Sequence, residues 1–177
     1  MALSSFYIYL ISSLPMLQFG MKPPFSFERF LETASRYIPD RDVEVLKKSS
    51  ISGEYDRSAG RTNAALRRWQ AFDIALRNEL VKARAARKRL DPSKFIRDGG
   101  YAEAALAHLA QAAHRNPSPL EAEEALDEAR WRSLDELERG HYFDPDFLVI
   151  YAHKLLILLR WERINGADSG RLIEELV

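Results

Sequence analysis

His141, Asp144 and Asp146, with His153 further along, are the residues of this chain whose types and spacing could share a metal ion. Imidazole nitrogens and carboxylate oxygens are ordinary ligands for zinc and other transition metals. Each of them also has a structural reading, and that reading is preferred. Asp144 stands before Pro145, where a starting helix needs an N-cap, and Asp146 falls in the first turn, where the helix dipole favours an acid. His153 is assigned to the outer surface of the same helix. His108 and His114, six residues apart, do not share a helix face and read as surface residues. The carboxylates between Glu121 and Glu138 could in principle do acid–base work, but they read as a solvated acidic face. Phosphate-binding glycine loops, the HExxH zinc motif and the GxSxG nucleophile elbow are absent. The chain has no cysteine, so thiol nucleophiles, disulfides and cysteine metal sites drop out, and a reducing compartment such as the cytoplasm fits. No catalytic residue, metal or cofactor is expected.

Charge is the next source of chemistry. Acidic and basic residues balance at 26 each, so the chain as a whole carries no field that would attract a polyanion. Locally the balance breaks. Residues 61–97 are rich in Arg and Lys, whereas residues 121–146 are rich in Glu and Asp. Two readings follow: antiparallel helices whose faces complement each other, or a basic surface for another protein. On the second reading Arg67, Arg68, Lys82 and Arg89, which point away from the Trp69 side of their helix, are the candidate partner contacts. Arg87 falls on the apolar seam and is expected to pair internally with Asp127 or Glu124. The alternative for the same basic segment is nucleic acid. That is the weaker reading, because Trp69 and Phe72 lie on the core stripe and the net charge lacks a basic excess.

The elements that must carry these residues are helical. Leu66, Trp69, Phe72, Leu76, Leu80 and Ala83 recur at steps of three or four, predicting a long helix from Thr62 to Leu90 with Asp73 and Arg77 as a surface pair. Ser26 predicts the start of a short helix through Phe30, and Asp40 or Asp42 the start of another through Leu46. Residues 49–60, rich in Ser and Gly, read as a flexible loop. An alanine-rich helix is expected from about Tyr101 to Arg115. The next should run from Pro119 to about Arg139, with Ser118 as N-cap and Glu121 in the capping-box position. A last helix should begin after Asp144 and end at Asn165–Gly166.

The opening "FYIYLISSLPML" is too short to span a bilayer and has no basic preface of an export signal. It is assigned as a short helix whose Tyr7, Tyr9, Leu10 and Leu14 pack inward. No convincing strand alternation occurs elsewhere. The expected fold is all-α: one domain over residues 1–177, a bundle of six to seven helices around one long central helix.

Three segments, "FYIYLISSLPML" with "PPFSFERFLE", "RWQAFDIALRNELVKARA", and "EAEEALDEARWRSLDELERGHYFDPDFLVIYAHKLLILLRWERI", resemble a bacterial family known as domain of unknown function 2764. Genes of that family commonly lie among those for V/A-type ATP synthase subunits. The Tyr7-x-Tyr9 start, and "EALD" followed by Trp131, are also similar to elements of that machine's helical connector, the protein between rotor shaft and membrane ring, although this chain is about half its length. The resemblance implies a non-catalytic helical accessory or connector protein. It would be cytoplasmic, bind ATPase subunits, and meet the inner membrane only through the complex.

Overall fold

The computed structural model describes the backbone of residues 2–53, 55 and 63–174, and the side chains of residues 7–53, 55 and 63–167. Within these residues the fold is all-α, with no strand. In chain order the helices are α1 (Ala2–Ser13), α2 (Phe27–Ser35), α3 (Asp40–Lys47), α4 (Ala64–Lys88), α5 (Ala104–Arg115), α6 (Pro119–Glu138) and α7 (Pro145–Glu174). A short 3-10 turn, Pro92–Lys94, interrupts the connection from α4 to α5. No helix among the described residues is long and apolar enough to cross a membrane. Of the loop expected to be flexible, 49–60, residues 54 and 56–60 lie outside the described residues. The chain divides into two compact units, Met1–Glu54 with Gly140–Val177, and Tyr55–Arg139.

In the first unit α2 and α3 pack on each other and on α7. Local signals set their starts: the Ser26 hydroxyl accepts the Arg29 amide at 3.2 Å, and the Asp144 carboxylate accepts the Phe147 amide at 2.8 Å. α3 begins directly at Asp40, after Pro39. Phe30 is fully buried, its ring 5.4 Å from that of Tyr151, with Phe25, Phe27 and Phe147 completing an aromatic cluster. The opening stretch is helical, as expected. Tyr7, Leu10 and Ile11 are buried, and the Tyr7 hydroxyl donates to Asp42 at 2.5 Å. Tyr9, assigned inward, is instead 69% exposed. At about 100° per residue it lies roughly 200° around the helix from Tyr7 and cannot share its face.

α7 departs from expectation in three ways. It is longer than α4, at 30 residues against 25. It does not stop at Asn165–Gly166, because Gly166 keeps a negative φ and the helix continues to Glu174. A glycine ends a helix when it turns left-handed, whereas one held in the helix lowers stability by only about 1 kcal/mol relative to alanine. Finally, all eight residues from Leu148 to Leu155 are buried, so this stretch has no outer face. His153, assigned to the surface, is fully buried, with Nδ1 2.7 Å from the Val149 carbonyl oxygen.

In the second unit α5 packs along α4 and α6, and α6 along α4. The Asn63 side chain caps α4 by accepting the Leu66 amide at 2.7 Å. The predicted stripe is buried at Leu66, Trp69, Phe72, Leu76 and Leu80 and half-buried at Ala83, but Ala65, Ile74, Ala75 and the polar Gln70, Asp73, Asn78 and Glu79 are buried too. The middle of α4 is enclosed well beyond one stripe, as befits a helix with neighbours on more than one side. Ser118 caps α6 as predicted, accepting the Glu121 amide at 3.3 Å. The capping box is incomplete, since the Ser118 amide donates to Asn116 Oδ1 at 2.8 Å and Asn116 also reaches Glu121.

Candidate functional site

The candidate contact cations sit on a helix that holds them far apart. Arg67 and Arg68 are exposed near the start of α4, and Arg89 is exposed just past its end. At 1.5 Å per residue the two ends are about 33 Å apart, so they cannot form one patch. Lys82 is exposed, but its ammonium donates to Glu79 Oε1 at 2.6 Å, which neutralises it locally. Arg84, Arg87 and Lys88 are exposed beside Arg89. α4 thus carries an arginine pair at one end and a denser basic cluster at the other.

Arg87 does not make the internal pair assigned to it. It is exposed, and so is Glu124. Asp127 is fully buried, and its cation is Arg130, whose terminal nitrogen donates to Asp127 Oδ1 at 2.6 Å. Arg130 Nε donates to Asp73 Oδ1 at 2.8 Å, Arg77 Nε to Asp73 Oδ2 at 2.6 Å, and the Tyr55 hydroxyl to that same oxygen. The predicted Asp73 and Arg77 pair therefore exists, but it is buried in a network rather than lying on the surface. The apolar seam does not reach Arg87: in the last turn of α4 Ala85 is buried, whereas Ala86, Arg87 and Lys88 are exposed.

The network also reverses the expected charge complementarity. Within it the basic helix α4 contributes the acid Asp73 and the acidic helix α6 contributes the base Arg130. Two carboxylates and two guanidiniums balance, which is what makes ionised groups tolerable inside a protein. Burial alone would raise the Asp73 carboxyl, but the charges of Arg130 and Arg77 and the Tyr55 hydroxyl outweigh it and hold the carboxyl below its ordinary range. Burial likewise opposes the charge on Arg77 and Arg130, yet Asp73 raises both. Burial, and then the Asp73 charge, pushes the Tyr55 phenol up. All these shifts lead away from neutral pH, so the network fixes charge states and does not offer a group poised to exchange a proton. Sequence pattern alone does not single out Arg130 or Tyr55. The spacing of Asp127 and Arg130 at i,i+3 is a usable signal, but the 57-residue reach from Arg130 to Asp73 leaves none.

At the start of α7, His141 Nδ1 lies 2.7 Å from Asp144 Oδ2, and His141 Nε2 lies 3.9 Å from Asp146 Oδ2. Asp144 is engaged at both oxygens, by the imidazole and by the Phe147 amide. His153 lies in the enclosed stretch of the helix. Among the described residues no group of three or more His, Asp or Glu side chains is arranged to hold a metal ion. His108 is exposed and His114 half-buried, both on α5.

No protein-family model, curated protein or solved structure matches this chain.

Proposed function

We propose that this protein is a non-enzymatic helical accessory or connector that binds subunits of a V/A-type ATPase in the cytoplasm, in the manner of a reduced form of that machine's helical connector. The reading rests on the resemblance of its opening, α4 and α6–α7 segments to the family encoded beside those subunits. The observation that supports it is the exposed Arg67 and Arg68 pair on a long helix whose middle is buried. A connector needs charged contact points held at a fixed place on a stiff element, and electrostatic complementarity then selects the partner. Arg67 and Arg68 are the contacts assigned to that partner, with Arg89 at the far end of the helix as a separate point. Lys82, engaged by Glu79, contributes least.

A tagged chain used as bait on gently solubilised membranes at low salt should retain ATPase subunits. Arg67→Glu with Arg68→Glu should release them while the far-ultraviolet circular dichroism stays unchanged. Failure of the wild-type chain to retain any ATPase subunit would refute the reading.

A further inference from the structure

The connection from α4 to α5 is ordered yet turned outward. Every residue from Ala86 to Ala105 except Pro92 is exposed, including four large apolar ones: Leu90 at 52%, Phe95 at 56%, Ile96 at 39% and Tyr101 at 47%. Exposure of this kind often marks a loop that has nothing to hold it, but this one is clamped. The Asp91 side chain accepts the Ser93 amide at 3.0 Å and starts the 3-10 turn. The buried Asn78 then grips the backbone of Arg97 twice, donating to its carbonyl at 2.8 Å and accepting its amide at 2.9 Å. Gly100 lies so close to α4 that an added Cβ would stand 3.0 Å from the Ala75 nitrogen. Arg97 lies beside Asn78 and Gly100 beside Ala75, so the connection runs back along α4 with its polar backbone anchored and its apolar side chains displayed.

The same stretch carries the densest positive charge in the chain. Residues 84–97 hold Arg84, Arg87, Lys88, Arg89, Lys94 and Arg97 against the single acid Asp91, with Asp98 following the clamp. A protein interface takes up Arg and aromatic side chains but depletes Lys, so Lys88 and Lys94, interleaved with the apolar groups here, would be pushed to its rim. Binding to nucleic-acid phosphates would use the cations and leave Leu90, Phe95 and Ile96 without a role. The headgroup layer of an anionic bilayer uses both, since cations meet the lipid charge while apolar bodies enter the acyl boundary. We propose that the last turn of α4 and the clamped connection after it form a peripheral docking surface for an anionic lipid bilayer. This goes beyond the connector reading, which requires no direct contact with lipid.

The test is co-sedimentation of the purified full chain with phosphatidylcholine vesicles, with and without phosphatidylserine, at fixed salt. Wild type should partition to the serine-containing vesicles and not to the neutral ones. Arg87→Gln, Lys88→Gln and Arg89→Gln together should weaken partitioning about a hundredfold, at roughly fivefold per cation near an anionic surface. Phe95→Ser with Ile96→Ser, which leaves charge untouched, should weaken it about tenfold or more through lost apolar burial. Both sets are exposed, and unchanged helical dichroism confirms that each variant folds. Equal partitioning to neutral vesicles, or none to either, overturns the proposal. So does a loss confined to the cation variant, or binding of duplex DNA at the same salt without vesicle partitioning.

Discussion

Asp73 sits in the middle of α4 between Phe72 and Ile74, fully buried, and accepts hydrogen bonds from Tyr55, Arg77 and Arg130. Its ionisation is sustained by those donors. Asp73→Asn keeps the shape but leaves Arg77 without its counter-charge and Arg130 with Asp127 alone, and should lower stability at neutral pH by about 3–5 kcal/mol in urea unfolding. The pH dependence follows from the direction of the shift. The folded value of Asp73 lies below its unfolded value, so its contribution is complete above the ordinary aspartate pKa of about 3.9 and disappears as pH falls through the lower folded value. Stability measured from pH 6 down to pH 2 should therefore fall more steeply for wild type than for Asp73→Asn. Parallel curves would mean that Asp73 does not titrate differently in the folded state. The neighbouring cations show the limit of reading residues one at a time. Asp73, Arg77 and Asp127 are visible as charges in a helical pattern, whereas the identity of the group that joins them, Arg130, requires the packing of α6 on α4.

At the scale of the element, the end of α4 is made by an unusual residue. Arg89 has φ 54°, and the Leu90 amide closes the helix on the Ala85 carbonyl at 3.0 Å. That left-handed position is the one glycine normally fills, and a residue with a Cβ is strained there by about 1 kcal/mol or more. Arg89→Gly should accordingly raise stability by about 1 kcal/mol, visible as a melting temperature higher by roughly 2–4 °C for a chain of this size. A lower melting temperature would show that the arginine side chain contributes more than its backbone strain costs. Helix starts are readable because a cap is a local bond: Ser26, Ser118 and Asp144 each accept an amide three residues on. Helix ends are less readable. Gly166 has the right residue type for a stop, yet it is exposed with open space around it and the helix continues through it.

At the scale of the whole chain, the first unit is assembled from segments on either side of the second, joining α1 to α3 with α7. Deleting residues 1–17 removes the buried Tyr7, Leu10 and Ile11, the Tyr7 hydrogen bond to Asp42, and the Pro15 carbonyl that accepts from the Tyr151 hydroxyl at 3.0 Å. Burying each large apolar side chain contributes about 1.5–3 kcal/mol, so the loss approaches the whole stability of a typical domain. The truncated chain should lose more helical dichroism than the twelve residues of α1 account for. A truncation that keeps the helicity of α2, α3 and α7 would show that α1 is dispensable to its unit.

Sequence alone determined the all-α class, most helix starts, the long helix α4 and the helical opening, because each depends on periodicity or on a bond spanning a few residues. Tertiary structure decided which polar groups are inside. His153 looks like a surface residue in a helical pattern and is fully buried, because α7 is enclosed on faces that a single stripe does not reveal, and the buried Asp127 takes Arg130 rather than Arg87 as its cation. It also decided that Arg87 points outward, that Arg130 and Asp73 meet across 57 residues, and that Leu90, Phe95 and Ile96 are displayed on a clamped connection. Burial is a property of neighbours, and neighbours distant in sequence are chosen by packing, not by the local chain.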